Sequence, residues 1–155
     1  MKQTPRMKKT EANMQPGVIT LHGFLGGDDR DLATIIEADN AVVMRQGLTH
    51  EQIAARMEEL SKEGLKGLGE YIKIKSGFEV KVDSVRGKLP CPFGHPGIFA
   101  KVNTTVRNIK LDREITYTLL NSHLIGEHGF YEGKDSPFRL EPRDLIEILE
   151  IEGSE

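Results

Sequence analysis

The chain has 155 residues, of which 37% are hydrophobic and 29% are charged, and its net charge is −3. This length and composition predict one well-solvated globular domain. No apolar run approaches the ~20 residues of a membrane helix, and no apolar segment follows the basic N-terminus as it would in a secretory signal. The single cysteine, Cys91, cannot form an internal disulfide, which favours a cytoplasmic location.

The N-terminal third predicts a tail, a strand and a helix. Residues 1–15 have little to bury and are predicted to be a flexible basic tail, followed by a single domain over residues 16–155. The β-rich run at residues 18–24 predicts a strand. Asp28 or Asp29 is well placed to cap the next helix, with Asp31 in its first turn. Gly47 is expected to close that helix, and the Asp39–Asn40 pair is where it would break early.

The rest of the chain predicts a helix, two hairpins and a last helix. Thr49 and Gln52 form a capping box. A three-residue loop with Gly77 in the left-handed conformation would pair Ile74 with Phe78 and Ile72 with Val80. A four-residue loop over residues 109–112 gives a second register, and a helix begins at Pro142. The pairs expected in that second register are Val106 with Ile115 and Arg107 with Glu114.

This order of elements predicts an α+β fold. We expect a mainly antiparallel sheet of four to five strands, built from two hairpins plus the N-terminal strand. About three to four helices are expected to cover one face of this sheet.

Two short motifs resemble parts of larger modules. Residues 21–27, LHGFLGG, resemble the oxyanion-hole segment of α/β-hydrolases, but no Gly-x-Ser-x-Gly nucleophile elbow occurs in the chain. Residues 47–57 resemble the first helix of a helix-turn-helix module, but acidic residues follow where a turn and a basic recognition helix belong. A phosphate-binding role for the glycine loop is opposed by its three aspartates. His22, within this loop, stays a candidate ligand-binding residue.

Basic residues are concentrated in the middle of the chain, where residues 62–113 carry a net charge of +6. Seven of them fall on or beside the predicted strands: Lys73, Lys75, Lys81, Arg86, Lys88, Lys101 and Arg107. A solvated sheet face is the simpler interpretation. The alternative is a non-catalytic regulatory protein that binds nucleic acid or an acidic partner through a basic face, with Tyr71 as the one aromatic available for stacking.

Two loop segments, residues 89–97 and 120–133, hold three of the five histidines and the cysteine. Cys91, His95, His123 and His128 are the candidate metal ligands, since a soft thiolate with imidazoles suits zinc or iron. If Asn121 or Ser122 caps a helix that ends at Gly129, His123 and Glu127 share one helix face.

Three further roles attach to this site. Glu127 is the candidate catalytic residue, as a general base or as a group that orients a metal ligand. Tyr131, with Phe130, is predicted to cover the pocket and to contact a ligand. Cys91 paired with His123 or His128 for nucleophilic chemistry is an alternative to metal binding.

The leading hypothesis is therefore a metal or small-molecule site at the junction of the two segments. The sequence leaves open whether the site is catalytic, which metal it takes and whether the chain forms a homo-oligomer.

Overall fold

In the computed structural model, which describes residues 2–74 and 77–152, helices and an antiparallel sheet form the predicted α+β fold. The helices are α1 (Pro5–Asn13), α2 (Leu32–Arg45), α3 (His50–Gly64), α4 (Leu119–His128) and α5 (Pro142–Ile148). The strands are β1 (Ile72–Ile74), β2 (Phe78–Pro90), β3 (Ile98–Asn108) and β4 (Arg113–Thr118), in the order β1-β2-β3-β4. No helix in the described ranges is long and apolar enough to cross a membrane.

The registers of both predicted hairpins are confirmed. Ile74 pairs with Phe78 and Ile72 with Val80, and Gly77 has φ +86°, where a residue without a Cβ is unstrained. Lys75 and Ser76, the rest of that loop, lie outside the described residues. In the second hairpin Val106 pairs with Ile115 and Arg107 with Glu114. Alternating apolar side chains thus fixed the register, because a slip by one residue would turn every one of them to solvent.

The N-terminal strand predicted at residues 18–24 is wrong. These residues form successive turns, and the Gly17 backbone amide donates to the Thr20 carbonyl over 2.8 Å. Gly17 and Gly23 have positive φ values, which interrupt an extended chain. Val18 and Leu21 are 57% and 79% exposed, so the apolar run does not form a buried strand face. The described sheet consequently has four strands.

Helix α1 occupies most of the segment that was predicted as a flexible basic tail. Thr4 caps the helix and Pro5 opens it. The Glu11 carboxylate accepts a hydrogen bond from the Leu32 backbone amide over 2.5 Å, and the Gln3 side chain accepts from Ala33 over 3.0 Å. The N-terminal segment thereby satisfies amides at the start of α2, which have no partner within their own helix. Those contacts join residues far apart in sequence, so local composition gave no sign of them.

Helix α2 begins two or three residues later than predicted and does not break at Asp39. Its N-cap is Asp31, which accepts from the Thr34 amide over 2.8 Å. Asp28 instead binds the Arg30 guanidinium through both oxygens, and the Arg30 side chain holds the pKa of Asp28 well below its usual range. Asp39 is buried and binds Arg139 at 2.6 and 2.9 Å, so a tertiary ion pair stabilises the acid in mid-helix.

Two other predicted helix starts, those of α3 and α5, are confirmed. Thr49 and Gln52 form the capping box of α3, and Pro142 is the first residue of α5.

The core has two parts. The first lies between the sheet and helices α3 and α5, with Met57, Phe78, Val106 and Leu145 among its buried side chains. The second contains Met14, Leu32, Leu124, Phe130 and Cys91, and so joins α1, α2 and α4 to the end of the β2–β3 hairpin. The cysteine loop, residues 91–97, is the tip of that hairpin, beyond an irregularity between Ser84 and Lys88. The second core therefore fixes the cysteine loop against α4.

Candidate metal site

Cys91 lies at the tip of the β2–β3 hairpin and is only 4% exposed. The loop turns at once, with the Gly94 amide donating to the Cys91 carbonyl over 3.1 Å. Burial raises the pKa of the Cys91 thiol, although hydrogen bonds from the backbone amides of Phe93 and His95 oppose the shift. In the absence of a positive partner the side chain is therefore a neutral thiol at pH 7.

His128 is the last residue of α4, and its Nε2 atom lies 3.5 Å from Cys91 Sγ. Gly129 follows with φ +62° and ends the helix in the left-handed conformation, as predicted. The imidazole stacks on the Phe93 ring at 4.1 Å between centroids and 3° between planes. Phe93 meets Phe130 edge to face at 5.7 Å, so packed aromatic rings fix the orientation of His128.

His123 lies on the same helix, and its ring centroid is 5.2 Å from that of His128. The ring packs against Phe99 of β3 at 4.5 Å. Its Nε2 atom is buried and has no hydrogen-bond partner. Within residues 2–74 and 77–152, no other buried side-chain nitrogen or oxygen lacks one. A buried polar atom left unpaired costs about 1–3 kcal/mol, which a ligand at this position would offset.

The three side chains converge closely enough to bind one ion. One ligand atom from each of Cys91, His123 and His128 lies within 4.8 Å of the others. Atoms so spaced share a point no more than about 2.8 Å from each, against Zn–S and Zn–N bonds of about 2.3 and 2.1 Å. Tetrahedral coordination at those lengths separates sulfur from nitrogen by about 3.6 Å. The observed 3.5 Å between Cys91 and His128 already matches that separation.

Both histidines are neutral at pH 7. Burial lowers the pKa of His128 to about 4, and repulsion from His123 and His95 adds to the shift. Burial also lowers the pKa of His123, and repulsion from His95 contributes to this shift. The negative charge of Glu127 raises the pKa of both rings and so opposes it. Neutral imidazoles have a free lone pair, which is the form that a metal requires.

His95 lies beside the other three residues but is exposed. Its ring centroid is 4.9 Å from His123 and 5.7 Å from His128. The structure thus brings all four predicted ligands together, three of them with their ligand atoms already grouped.

The other predicted site residues have different surroundings. Glu127 is exposed and lines a cavity together with His123, which agrees with a shared helix face. The helix cap, however, is Thr118 and not Asn121 or Ser122. Tyr131 is fully buried in the first part of the core, with its hydroxyl 2.9 Å from Nδ1 of His50, so its ring does not cover Cys91. His22 is exposed in a separate cleft.

The geometry disfavours nucleophilic chemistry at Cys91. A reactive cysteine is partly exposed and has a lowered pKa, because the thiolate is the nucleophile. Here burial raises the pKa of the thiol and lowers that of its His128 neighbour, so transfer of the proton between them is unfavourable. At 4% exposure, Cys91 also offers an electrophile little access.

The sheet does not present a continuous basic face. Lys73, Glu79, Arg107 and Glu114 are successive cross-strand neighbours, so positive and negative side chains alternate across all four strands. In the next row Lys81 lies 4.0 Å from Asp83. The Arg107 guanidinium stacks on the Tyr71 ring, with its Cζ atom 3.8 Å from the ring centroid. The aromatic surface predicted for stacking on a nucleic-acid base is therefore already covered.

Three further basic residues of the predicted set, Arg86, Lys88 and Lys101, lie towards the irregular end of the β2–β3 hairpin. This charge distribution does not favour nucleic acid or an acidic partner as the ligand of the sheet face.

Two features of the site region were missed from the sequence. Phe93 was not singled out, although its ring orients His128, and only its position within the cysteine loop could have suggested a role. Glu132 was not singled out either, yet it is 3% exposed and burial raises its pKa to about 7. Its neighbours in sequence are those of a surface turn and give no sign of such burial.

No family model, curated protein or solved structure matches this chain.

Proposed function

We propose that the protein binds one transition-metal ion, with zinc as the first candidate, through Cys91, His123 and His128. The observation that carries the proposal is the grouping of a thiol and two neutral imidazoles within 4.8 Å. The unpaired Nε2 of His123 supports it, since a bound cation would give this buried atom a partner.

The ligand types favour zinc over the hard cations. Thiolate and imidazole suit zinc, iron and copper, whereas calcium and magnesium prefer oxygen ligands. A ligand set with one thiolate and imidazoles is compatible with tetrahedral zinc, and Cys91 would lose its proton when the metal binds. Iron remains the second candidate.

The fourth position decides between a structural and a catalytic role. We propose His95 as the fourth ligand, because its ring adjoins both other histidines and the loop that carries it also carries Cys91. Four protein ligands would make a closed site of the kind that stabilises folds. If a water molecule takes that position instead, Glu127 is the nearby carboxylate proposed as its general base.

Metal analysis of the purified, untagged protein tests the proposal. We expect about one metal ion per chain in the wild type, and less than about 0.1 in Cys91→Ser, His123→Ala and His128→Ala. His22→Ala removes an exposed histidine outside the cluster and is the matched control, with an unchanged metal content. A metal-replete wild type with less than about 0.1 ion per chain would refute the proposal.

Cobalt substitution identifies the ligands directly. A thiolate bound to Co²⁺ gives a near-ultraviolet charge-transfer band, which Cys91→Ser should abolish. His95→Ala should change the visible bands while a full equivalent of metal still binds, because three ligands remain.

A cytoplasmic location is also part of the proposal, supported by a buried cysteine thiol that has no second cysteine to pair with.

A further inference from the structure

A second cleft, apart from the three metal ligands, lies between the N-terminal turns and the β2–β3 hairpin. Its volume is about 330 Å³, within the range of pockets that bind small molecules. Apolar side chains form most of its wall, among them Phe24, Leu89 and Leu120.

The rim of this cleft exposes an unusual amount of apolar surface. Leu21 is 79% exposed, Val85 54% and Phe138 53%, and all three line the cleft. Single exposed apolar residues are common on proteins, but three around one opening form a patch of the kind that marks binding sites.

Glu132 is the one acidic residue among those that line the cleft in the described chain. Its Oε1 atom accepts from the Ser136 hydroxyl over 2.8 Å, and its Oε2 atom from the Asn121 amide over 3.1 Å. Both donors are neutral. The neighbouring Arg139 donates to the Glu132 backbone carbonyl and forms its ion pairs with Asp39 and Glu141.

Among the described residues, no cation donates a hydrogen bond to the buried Glu132 carboxylate, and Arg139 acts on it only through longer-range attraction. Two carboxylate oxygens can accept about four hydrogen bonds, so about half of this capacity is unused. A buried carboxylate is stabilised chiefly by a cation that donates hydrogen bonds to it. Glu132 also has φ +71°, a strained value for a residue with a side chain, and such strain is concentrated at functional sites.

We propose that this cleft binds a small molecule with an apolar body and a protonated amine, the amine lying against the Glu132 carboxylate. The apolar body would cover Phe24, Leu120 and Phe138. An ammonium group complements the buried negative charge, whereas a carboxylate ligand would be repelled by it. His22 and Lys101, which also line the cleft, are the groups that would instead select an anion, so the test includes one.

Binding of phenethylammonium tests the proposal against two compounds of similar size, 3-phenylpropanoate and 2-phenylethanol. Titrations are followed by amide chemical shifts at pH 8, with the metal content of all samples matched. We expect phenethylammonium to bind with a Kd in the millimolar range or tighter and to shift the resonances of residues around the cleft. Glu132→Gln should weaken this binding about ten-fold or more, because it removes a charge-assisted hydrogen bond. Glu114→Gln, at an exposed carboxylate on β4, is the matched control and should leave binding unchanged.

A second variant covers the case in which Glu132→Gln fails to fold. Ala100 is exposed on β3 and lines the cleft, so Ala100→Trp should fill the space without disturbing the core. It should abolish binding of phenethylammonium. Absence of amine binding to the wild type, equal affinity for 2-phenylethanol, or preferential binding of 3-phenylpropanoate would each overturn the proposal.

Discussion

Replacement of Glu132 by glutamine should change how the stability of the protein depends on pH. Glu132 is 3% exposed, and burial raises its pKa from 4.5 to about 7, against the opposing hydrogen bonds from Ser136 and Asn121. Between these two pH values the folded protein retains a proton that the unfolded chain releases. The contribution of Glu132 to stability is therefore fully present below pH 4.5 and is lost as the pH rises to about 7.

The size of this loss follows from the pKa shift. One pKa unit corresponds to about 1.4 kcal/mol, so the raised pKa of Glu132 makes the wild type about 3 kcal/mol less stable above pH 7 than below pH 4.5. Glutamine is uncharged at every pH, and the Ser136 hydroxyl can accept from its amide as well as donate. We therefore expect Glu132→Gln to resemble the wild type in stability near pH 4.5 and to exceed it by up to about 3 kcal/mol at pH 8.

Urea denaturation of both proteins from pH 4.5 to 8 measures the difference in unfolding free energy. The difference is the relevant quantity, because His123 and His128 change the stability of both proteins in the opposite sense. Burial lowers their pKa values, so their contribution is lost as the pH falls below about 6.5. Glu114→Gln should follow the wild-type profile. Parallel profiles for the wild type and Glu132→Gln, within about 0.5 kcal/mol, would show that burial does not hold Glu132 protonated.

Three further predictions concern the candidate metal site, a buried ion pair and a helix cap. His128→Ala should lower the stability of the metal-free protein by about 1 kcal/mol or less. It should also remove the stabilisation by zinc, which is about 2.7 kcal/mol for the wild type at 100 times Kd and raises its Tm. Calorimetry with and without zinc measures this rise in Tm, and an unchanged rise would exclude His128 as a ligand. Asp39→Ala should lower the free energy of unfolding, measured in urea, by about 3–5 kcal/mol, because it leaves the largely buried Arg139 without its main partner. A loss below about 1 kcal/mol would show that Glu141 alone is a sufficient partner for Arg139. Thr49→Ala should cost about 1 kcal/mol through loss of the α3 capping box, whereas Thr49→Ser should be close to neutral.

The parts of the fold that follow a local pattern could be predicted from the sequence. The register of Ile72 and Ile74 against β2 follows from alternation and from the glycine in the turn. The start of α3 follows from the capping residue Thr49, and the end of α4 follows from Gly129. In each case the decisive interaction joins residues only a few positions apart.

Features that depend on distant residues could not be predicted in this way. Helix α1 is fixed by Glu11 at the start of α2, and the buried Asp39 by Arg139 a hundred residues later. The sequence predicted only that Cys91 and His128 could lie close together, because both fall in loop segments that concentrate histidine and cysteine, and functional groups are often found on loops. Its geometry depends on the ring of Phe93, whose orientation follows from tertiary packing.

Helix α4 links the two candidate sites. Asn121 on its first turn donates to Glu132, and His123, two residues later, is one of the three grouped candidate metal ligands. Asn121 and His123, two residues apart, point to different faces of the helix, whereas His128, seven residues after Asn121, returns to nearly the same face as Asn121. Each site contains a buried polar group that lacks its best partner, Nε2 of His123 in one and the Glu132 carboxylate in the other. An unpaired buried atom such as Nε2 of His123 costs about 1–3 kcal/mol, and the hydrogen bonds to the Glu132 carboxylate come from neutral donors, so each proposed ligand would supply an interaction that packing alone does not.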